Sequence, residues 1–163
     1  MSLRTAEEEC AVGERETVLA AYAAGADRLR QALDALPSDR LAVRPGPEKW
    51  SAREIALHLC DSEISMVFRM KRAIAEPGSP VPAFDQDRWV EALAAHQDLR
   101  LALAAFAALR AEMTAVLRGL PPDAWQRTVI HPQAGAVSLE DWLRRAVLHT
   151  QNHLAQIRAC GGA

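Results

Sequence analysis

The sequence predicts an all-α protein, an antiparallel four-helix bundle built as one domain over residues 1–163. Three observations support this prediction. Four long segments repeat apolar residues every three or four positions, which gives a helix one apolar face. Proline or glycine follows each segment and ends it. Half of the residues are hydrophobic but only 5% are aromatic, so the core is expected to consist of small and aliphatic side chains, with abundant alanine favouring helix.

The predicted helices follow one another with long loops between them. Ser51 and Glu54 form a capping-box pattern before the second helix, and Ser138 with Asp141 forms a similar pattern before the fourth. The third helix is expected to break near His96 or Asp98. A proline-rich loop at 76–85 and a non-helical connection at 128–137 separate the later helices. The four predicted helices cover residues 12–36, 51–75, 86–117 and 138–160.

Composition excludes several classes of function. The net charge is −2 with acidic and basic residues interspersed, so nucleic acid is not an expected partner. The longest apolar run, 101–109, is too short to cross a membrane, and the first ten residues do not resemble a signal peptide. Cys10, Cys60 and Cys160 are odd in number and lack metal-binding CxxC spacing. These features predict a cytoplasmic protein with free thiols.

Three histidines carry the strongest functional signal. His149 and His153 are four residues apart, so on a helix they lie on the same face, about 6 Å apart along the axis. His58 lies on an earlier helix, three residues after Ile55 on its apolar face. A single buried histidine is usually a core residue with satisfied hydrogen bonds. Three on inward faces instead predict one metal site with an open fourth position, as in catalytic centres.

The same residues resemble a known family. The stretch KWSAREIALHLCD at 49–61 is similar to the KWSxxEIxxHLxD signature of the DinB/YfiT-like superfamily, and HTQNHLAQIR at 149–158 is similar to its second motif. Arg69, the segment DQDRW at 85–89 and HPQAG at 131–135 also fit. The resemblance covers residues 33–158 and is strongest to the YfiT-like branch, whose members are described as metal-dependent hydrolases.

The resemblance implies a four-helix bundle, often a homodimer, that binds a divalent metal ion, zinc or nickel (Zn2+ or Ni2+). The implied ligands are His58, His149 and His153. Several relatives are thiol-S-transferases or thiol-dependent isomerases that use low-molecular-weight thiols such as bacillithiol or mycothiol. A small-molecule substrate is therefore implied, with such a thiol among the candidates. Leu148 stands where the family leads us to expect an aromatic residue, at a position expected in the pocket wall.

Two further residues are candidate catalytic groups. Asp61 lies three residues after His58 and could orient a metal-bound water, act as a base or hold an imidazole tautomer; the alternative is a surface carboxylate. His131 could act as an acid or base at the pocket mouth, or its role could be confined to the turn. The four tryptophans are predicted to be packing anchors at helix ends.

The chemistry of three imidazoles leaves two reactions open. A metal ion with an exchangeable position can activate water for hydrolysis or a thiol for transfer. The alternative is a non-catalytic metal-binding helical bundle that acts as a dimeric binding module, and a third reading is a helical interaction protein without metal. Because imidazoles bind metal only when neutral, protons are expected to compete with the ion below about pH 6.5.

Overall fold

A computed structural model describes residues 6–161 of the chain, with side chains from residue 13 onward. This part of the chain contains six α-helices, one β-hairpin and two short 3-10 helices, Ser38–Arg40 and Pro122–Gln126. The helices are α1 (Ala6–Ala23), α2 (Gly25–Asp34), α3 (Ala52–Ala75), α4 (Gln86–Leu93), α5 (Leu99–Arg118) and α6 (Leu139–Ala159). The strands are β1 (Thr128–His131) and β2 (Gly135–Ser138). The predicted all-α class is confirmed, with the hairpin as a minor addition.

The first predicted helix is two helices. It begins at Ala6, earlier than expected, and is interrupted at Ala24 between α1 and α2. The interruption is slight, because the Ala24 N–H still donates to the Ala20 carbonyl and the Ala24 carbonyl accepts from Arg28. Gly25, directly after the interruption, lies against α5: a Cβ there would lie 1.8 Å from Nη1 of Arg110. The missing side chain therefore lets a guanidinium from α5 approach the backbone.

The third predicted helix breaks where the sequence indicated. α4 ends at Leu93 and α5 starts at Leu99, with Asp98 accepting hydrogen bonds from the backbone N–H groups of Arg100 and Leu101. An aspartate in this capping position starts a new helix because it satisfies donors that have no partner within the helix. His96 lies in the break and is exposed to solvent.

The capping predictions hold fully for one helix and in part for the other. Ser51 and Glu54 form a complete capping box at the start of α3. Arg44 also donates to both carboxylate oxygens of Glu54, which lowers the pKa of that carboxyl to about 2. At the start of α6, Ser138 Oγ accepts from the Asp141 N–H and donates to its carboxylate. Within residues 13–161, the Asp141 carboxylate does not accept from the Ser138 backbone N–H, so the predicted capping box is incomplete.

Helix packing gives the bundle a particular connectivity. α3 packs against α5 and α6, and the combined α1–α2 element packs against the same two helices. The α1–α2 element and α3 therefore lie at opposite corners of the bundle, as do α5 and α6. The chain crosses the bundle diagonal between α2 and α3, and again between α5 and α6. This arrangement places α3 beside α6, the two helices that carry the predicted metal ligands.

The hairpin organises the proline-rich loop. β1 and β2 pair in antiparallel register, and Gly135, the first residue of β2 after the turn, has φ +69°. Residue 81 donates its backbone N–H to the Ile130 carbonyl at 3.0 Å, and Ile130 donates to Ser79 at 2.9 Å. The predicted non-helical connection is thus a hairpin that anchors the loop beside α3. Among residues 6–161, no helix is long and apolar enough to cross a bilayer.

The prediction of free thiols is confirmed for the two cysteines whose side chains are described. Cys60 and Cys160 are buried free thiols, and burial raises the pKa of Cys60 to about 12. The side chain of Cys10 lies outside the described residues. The low reactivity that burial gives these thiols indicates a packing role.

Candidate metal centre

The three predicted histidines converge at one point between α3 and α6. Nε2 of His149 lies 3.0 Å from Nε2 of His58 and 3.1 Å from Nε2 of His153. One ring nitrogen from each residue lies within 4.8 Å of the other two. His58 is buried, with 1% of its surface exposed, and the other two are half-buried. The spacing on α6 and the apolar face of α3 therefore correctly predicted where these side chains point.

The nitrogen arrangement fits a divalent ion. Nitrogens bound to one zinc at 2.0–2.1 Å in tetrahedral geometry lie roughly 3.4 Å apart, close to the observed separations. Gln156 Oε1 lies 2.8 Å from His153 Nδ1. Because this amide oxygen can only accept, the His153 proton resides on Nδ1 and Nε2 carries the free electron pair. The donor set is neutral imidazole, which zinc and nickel favour.

Burial keeps these imidazoles neutral. It lowers the pKa of His58 to about 3, with a further contribution from His149 and His153. It lowers the pKa of His149 to about 4, and the charges of His153 and Arg110 act in the same direction. Burial also lowers the pKa of His153, although its hydrogen bond to Gln156 opposes this. Protons therefore compete for these nitrogens at lower pH than the ordinary imidazole value of 6.5 predicts.

Aromatic rings enclose the centre on the α3 side. The Trp50 ring centroid lies 4.9 Å from that of His58 and 6.4 Å from that of His153. Phe84, from the proline-rich loop, lies 6.1 Å from His58. Trp50 does stand at a helix end, as predicted, but it also forms part of the wall of the site. Its place directly before the Ser51 cap was the available signal, whereas nothing in the sequence pattern indicated Phe84.

A buried ion pair lies directly beneath the centre. Arg110 on α5 donates through Nε and Nη2 to Oε2 of Glu63 on α3, at 3.1 and 2.9 Å. The same guanidinium donates to the Tyr22 carbonyl at 3.0 Å and to Thr150 Oγ1 at 2.7 Å. Tyr22 donates its hydroxyl to Oε1 of Glu63. Since Thr150 follows His149, this cluster fixes α6 against α3 next to a predicted ligand.

Asp61 is buried, so the surface-carboxylate alternative is wrong. Only 6% of the residue is exposed, and burial raises the pKa of its carboxyl. Gln97 donates to Oδ1 at 2.7 Å, while Oδ2 is buried and has no partner among the described residues. Asp61 makes no hydrogen bond to the three imidazoles in this part of the chain, so it does not hold an imidazole tautomer. Its catalytic role stays a prediction.

His131 makes the predicted turn contacts and also lies at the edge of a cleft. Its Nδ1 accepts from the backbone N–H groups of Gln133 and Ala134, each at 3.3 Å, which is turn chemistry. These bonds leave the proton of the neutral ring on Nε2. The ring also borders a cleft that reaches His149, and Leu148 lines the same cleft. Leu148 therefore occupies the pocket wall, as expected, and a catalytic role for His131 stays a prediction.

Two clefts reach the centre from different sides. One, of about 510 Å³, is bordered by His153, Trp50, Gln156 and Cys160. The other, of about 420 Å³, is bordered by His149 and His131. Each cleft thus reaches a different histidine on α6.

Comparisons with known proteins agree with this architecture. Relatives named "Putative metal-dependent hydrolase" include OB0782 of Oceanobacillus iheyensis, 30% identical over 108 residues. That match spans 66% of this chain and 63% of the relative, so the chain spans somewhat less than two thirds of it. Another with this name, YfiT of Bacillus subtilis, is 27% identical over 132 residues, which span 80% of this chain and 74% of YfiT.

Solved structures show the same fold. The YfiT structure superposes with a TM-score of 0.83 at 23% identity, covering 98% of this chain and 89% of YfiT. It is described as having "an unusual four-helix bundle topology". A mycothiol-dependent maleylpyruvate isomerase superposes with a TM-score of 0.71 at 15% identity, covering 88% and 60%. The family model described as the DinB superfamily matches residues 21–157. The chain belongs to the DinB superfamily.

Proposed function

We propose that the protein is a divalent-metal-dependent enzyme that acts on a small molecule, with His58, His149 and His153 holding the ion. One observation carries the proposal: the Nε2 atoms of three neutral imidazoles lie 3.0 and 3.1 Å apart with no acidic side chain between them. Within the described chain no cysteine belongs to this cluster. Structural zinc sites have four protein ligands, whereas three leave a position for a reacting group.

The chain's own residues define what such a site does. A zinc or nickel ion supplies a Lewis acid that lowers the pKa of water or a thiol. Gln156 orients the His153 ring through its acceptor oxygen. Trp50 and Phe84 exclude water from the His58 side. The Arg110 guanidinium donates to Glu63 on α3 and to Thr150 on α6, and so holds these two helices together.

Asp61 and His131 are the proposed catalytic groups of the chain. The Asp61 carboxylate has one buried oxygen without a partner in the described chain, and burial raises its pKa, which makes it a better base. His131 offers an Nε2–H donor at the mouth of the cleft that reaches His149. We assign Asp61 the role of proton acceptor and His131 the role of hydrogen-bond donor to the substrate.

The names of the sequence relatives support hydrolysis, and the two clefts support thiol transfer as a second candidate. Hydrolysis needs one cleft, because water is the second reactant. Transfer of a thiol to an electrophile needs space for two organic molecules at one centre. The fold is shared with a mycothiol-dependent isomerase, which supports testing a low-molecular-weight thiol as co-substrate.

Elemental analysis of protein purified without a histidine tag or nickel resin tests the metal. We expect about one zinc or nickel per chain. The loaded protein is then assayed against esters and amides, and separately against pairs of a thiol and an electrophile. Asp61→Asn and His131→Gln should lower turnover and leave the metal content unchanged.

Each outcome has a distinct meaning. Failure to bind zinc or nickel on titration would overturn the proposed site. Stoichiometric metal with no turnover in either panel would favour the alternative, a metal-binding bundle that acts as a dimeric binding module. Analytical ultracentrifugation tests the predicted homodimer independently of both.

A further inference from the structure

The cleft that reaches His149 is rich in positive charge. We call it the cationic cleft; it is bordered by Arg69 on α3, Arg145 on α6 and His131 on the hairpin, with Trp142 between them. Met66 and Leu148 add apolar surface to its wall. The cleft borders one predicted metal ligand directly, so a molecule bound in it lies beside the three-histidine centre.

Among residues 13–161, neither arginine of the cleft has an acidic partner. The ion pairs of the described chain involve other arginines, including Arg144, which lies 3.1 Å from Glu140. Arg69 is 4% exposed; its Nη2 donates to the Pro82 carbonyl at 2.9 Å, and its Nε is buried with no partner among residues 13–161. Arg69 lines the cleft, and a guanidinium without an acidic partner is suited to an oxyanion.

The indole of Trp142 holds both guanidinium groups in place. The Arg69 guanidinium carbon lies 4.9 Å from the Trp142 ring centroid, and that of Arg145 lies 5.4 Å away. The His131 ring centroid is 5.8 Å from the same indole. Cation–π contacts of this kind orient a positive group without neutralising it. The pKa shifts reflect the same concentration of positive charge. Burial and the charge of Arg145 lower the pKa of Arg69. Burial and the charges of both arginines lower the pKa of His131.

We propose that the cationic cleft binds the anionic group, a carboxylate or a phosphate, of the organic molecule that reacts at the three-histidine centre. This inference rests on the proposed function and narrows its substrate class. Arg69 and Arg145 bind the oxyanion, and His131 adds a neutral N–H donor. Met66 and Leu148 contact the carbon skeleton, which favours an organic anion over an inorganic one.

Calorimetric titration with benzoate, phenyl phosphate and neutral benzamide tests the proposal. Each probe is titrated into zinc-loaded and zinc-free protein, since binding that persists without zinc belongs to the cleft and not to the metal. We expect saturable binding of at least one anion in both forms and none of benzamide. The tighter anion identifies the head group that the cleft prefers.

Arg145→Gln is the main variant, because Arg145 is exposed and its loss should not disturb folding. It should weaken anion binding about tenfold, the loss expected for a hydrogen bond to a charged group. Arg144→Gln is the matched control: it removes the same charge from the next residue, whose guanidinium is already paired with Glu140. Anion affinity should then change less than twofold.

Three results would overturn the proposal: no saturable binding of either anion, equal affinity for benzamide, or unchanged affinity in Arg145→Gln. Zinc content is measured separately in every sample. A protein that binds anions but no zinc would overturn the proposed function and leave the anion site standing. A protein that binds zinc but no anion would overturn the anion site and leave the proposed metal site standing.

Discussion

Two clusters of buried polar side chains meet in this bundle, and they differ in how their hydrogen bonds are completed. The Arg110–Glu63 cluster contains donors and acceptors from four helices, and every charged group in it has a partner. The histidine cluster presents three nitrogens to one another at 3.0 and 3.1 Å. Neutral imidazoles cannot all satisfy one another in this arrangement, because each needs a proton between it and its neighbour.

The difference separates a structural role from a functional one. A guanidinium and a carboxylate complement each other, so the first cluster needs nothing from outside the chain. The second cluster has electron pairs in excess, which a cation can use. The two clusters adjoin at His149 and Thr150, and the positive charge of Arg110 helps to lower the pKa of His149. The self-contained cluster therefore helps to keep the other one ready to bind a cation.

Breaking the ion pair should have the largest effect. Glu63→Gln leaves the Arg110 guanidinium buried without its carboxylate, and both side chains are only 2% exposed. We expect the free energy of unfolding to fall by about 3–5 kcal/mol. Urea denaturation measures this change. The control is Glu112→Gln, whose exposed pair with Lys71 should contribute less than about 1 kcal/mol. Equal effects of the two variants would contradict a structural role for the buried pair.

Acid should destabilise the metal-free protein through the histidine cluster. Burial lowers the pKa of His58 from 6.5 to about 3 and that of His149 to about 4. Below pH 6.5 the unfolded chain takes up protons that the folded chain does not. The contribution of these imidazoles to the free energy of unfolding is therefore fully present above pH 6.5. It falls as the pH drops towards 4 and 3, by up to about 1.4 kcal/mol per pH unit for each imidazole. Urea titrations between pH 7.5 and 5 measure the slope. A flat profile would show that these imidazoles are not buried in the neutral form.

Removing one imidazole should abolish stoichiometric metal binding. His149→Ala and His153→Ala each delete one of three proposed ligands, so zinc affinity should fall by more than the roughly 10–100-fold typical of outer-shell changes. His58→Ala should behave in the same way, despite its distance in sequence. Zinc titration by calorimetry gives the affinities, with His96→Ala as the control because His96 is exposed. A variant with unchanged affinity would remove that residue from the site.

Removing the metal should lower stability and leave the helices intact. The core does not depend on the ion, since the buried residues pack in large apolar clusters between the helices. At free zinc 100 times its Kd, binding should add about 2.7 kcal/mol. Thermal melts followed by circular dichroism, with and without a chelator at neutral pH, test this. Loss of helix on chelation at room temperature would indicate a structural metal instead.

The sequence predicted the histidine cluster because helical geometry is local. His149 and His153 lie four residues apart, and His58 follows the apolar face of α3, so their direction depends on spacing alone. The capping box at Ser51 could be predicted for the same reason. The close approach of Arg110 to Gly25 could not be predicted in this way, because Arg110 lies on a helix far away in the chain.

The cationic cleft and the buried ion pair could likewise not be predicted from the spacing of residues in the sequence. Arg69 and Arg145 lie on different helices, and only tertiary packing brings Arg69 to Trp142, the indole that Arg145 also contacts. The sequence left open whether Asp61 is a surface carboxylate, and only the tertiary structure shows that it is buried, with Gln97 donating to it. Residue spacing specifies which face a side chain occupies, and it does not specify what covers that face.

The smallest expected effect concerns a hydrogen bond that orients a proposed ligand. Gln156 accepts from His153 Nδ1 at 2.8 Å, although its own side chain is exposed. Gln156→Leu should weaken zinc binding by roughly 10–100-fold, because the His153 ring loses the partner that fixes its tautomer. The matched control is Gln151→Leu, an exposed glutamine on the same helix without this bond. Calorimetric zinc titration compares the two, and thermal melts of the metal-free variants should coincide. Equal zinc affinities would show that the His153 ring is fixed by its packing against Trp50 and not by Gln156.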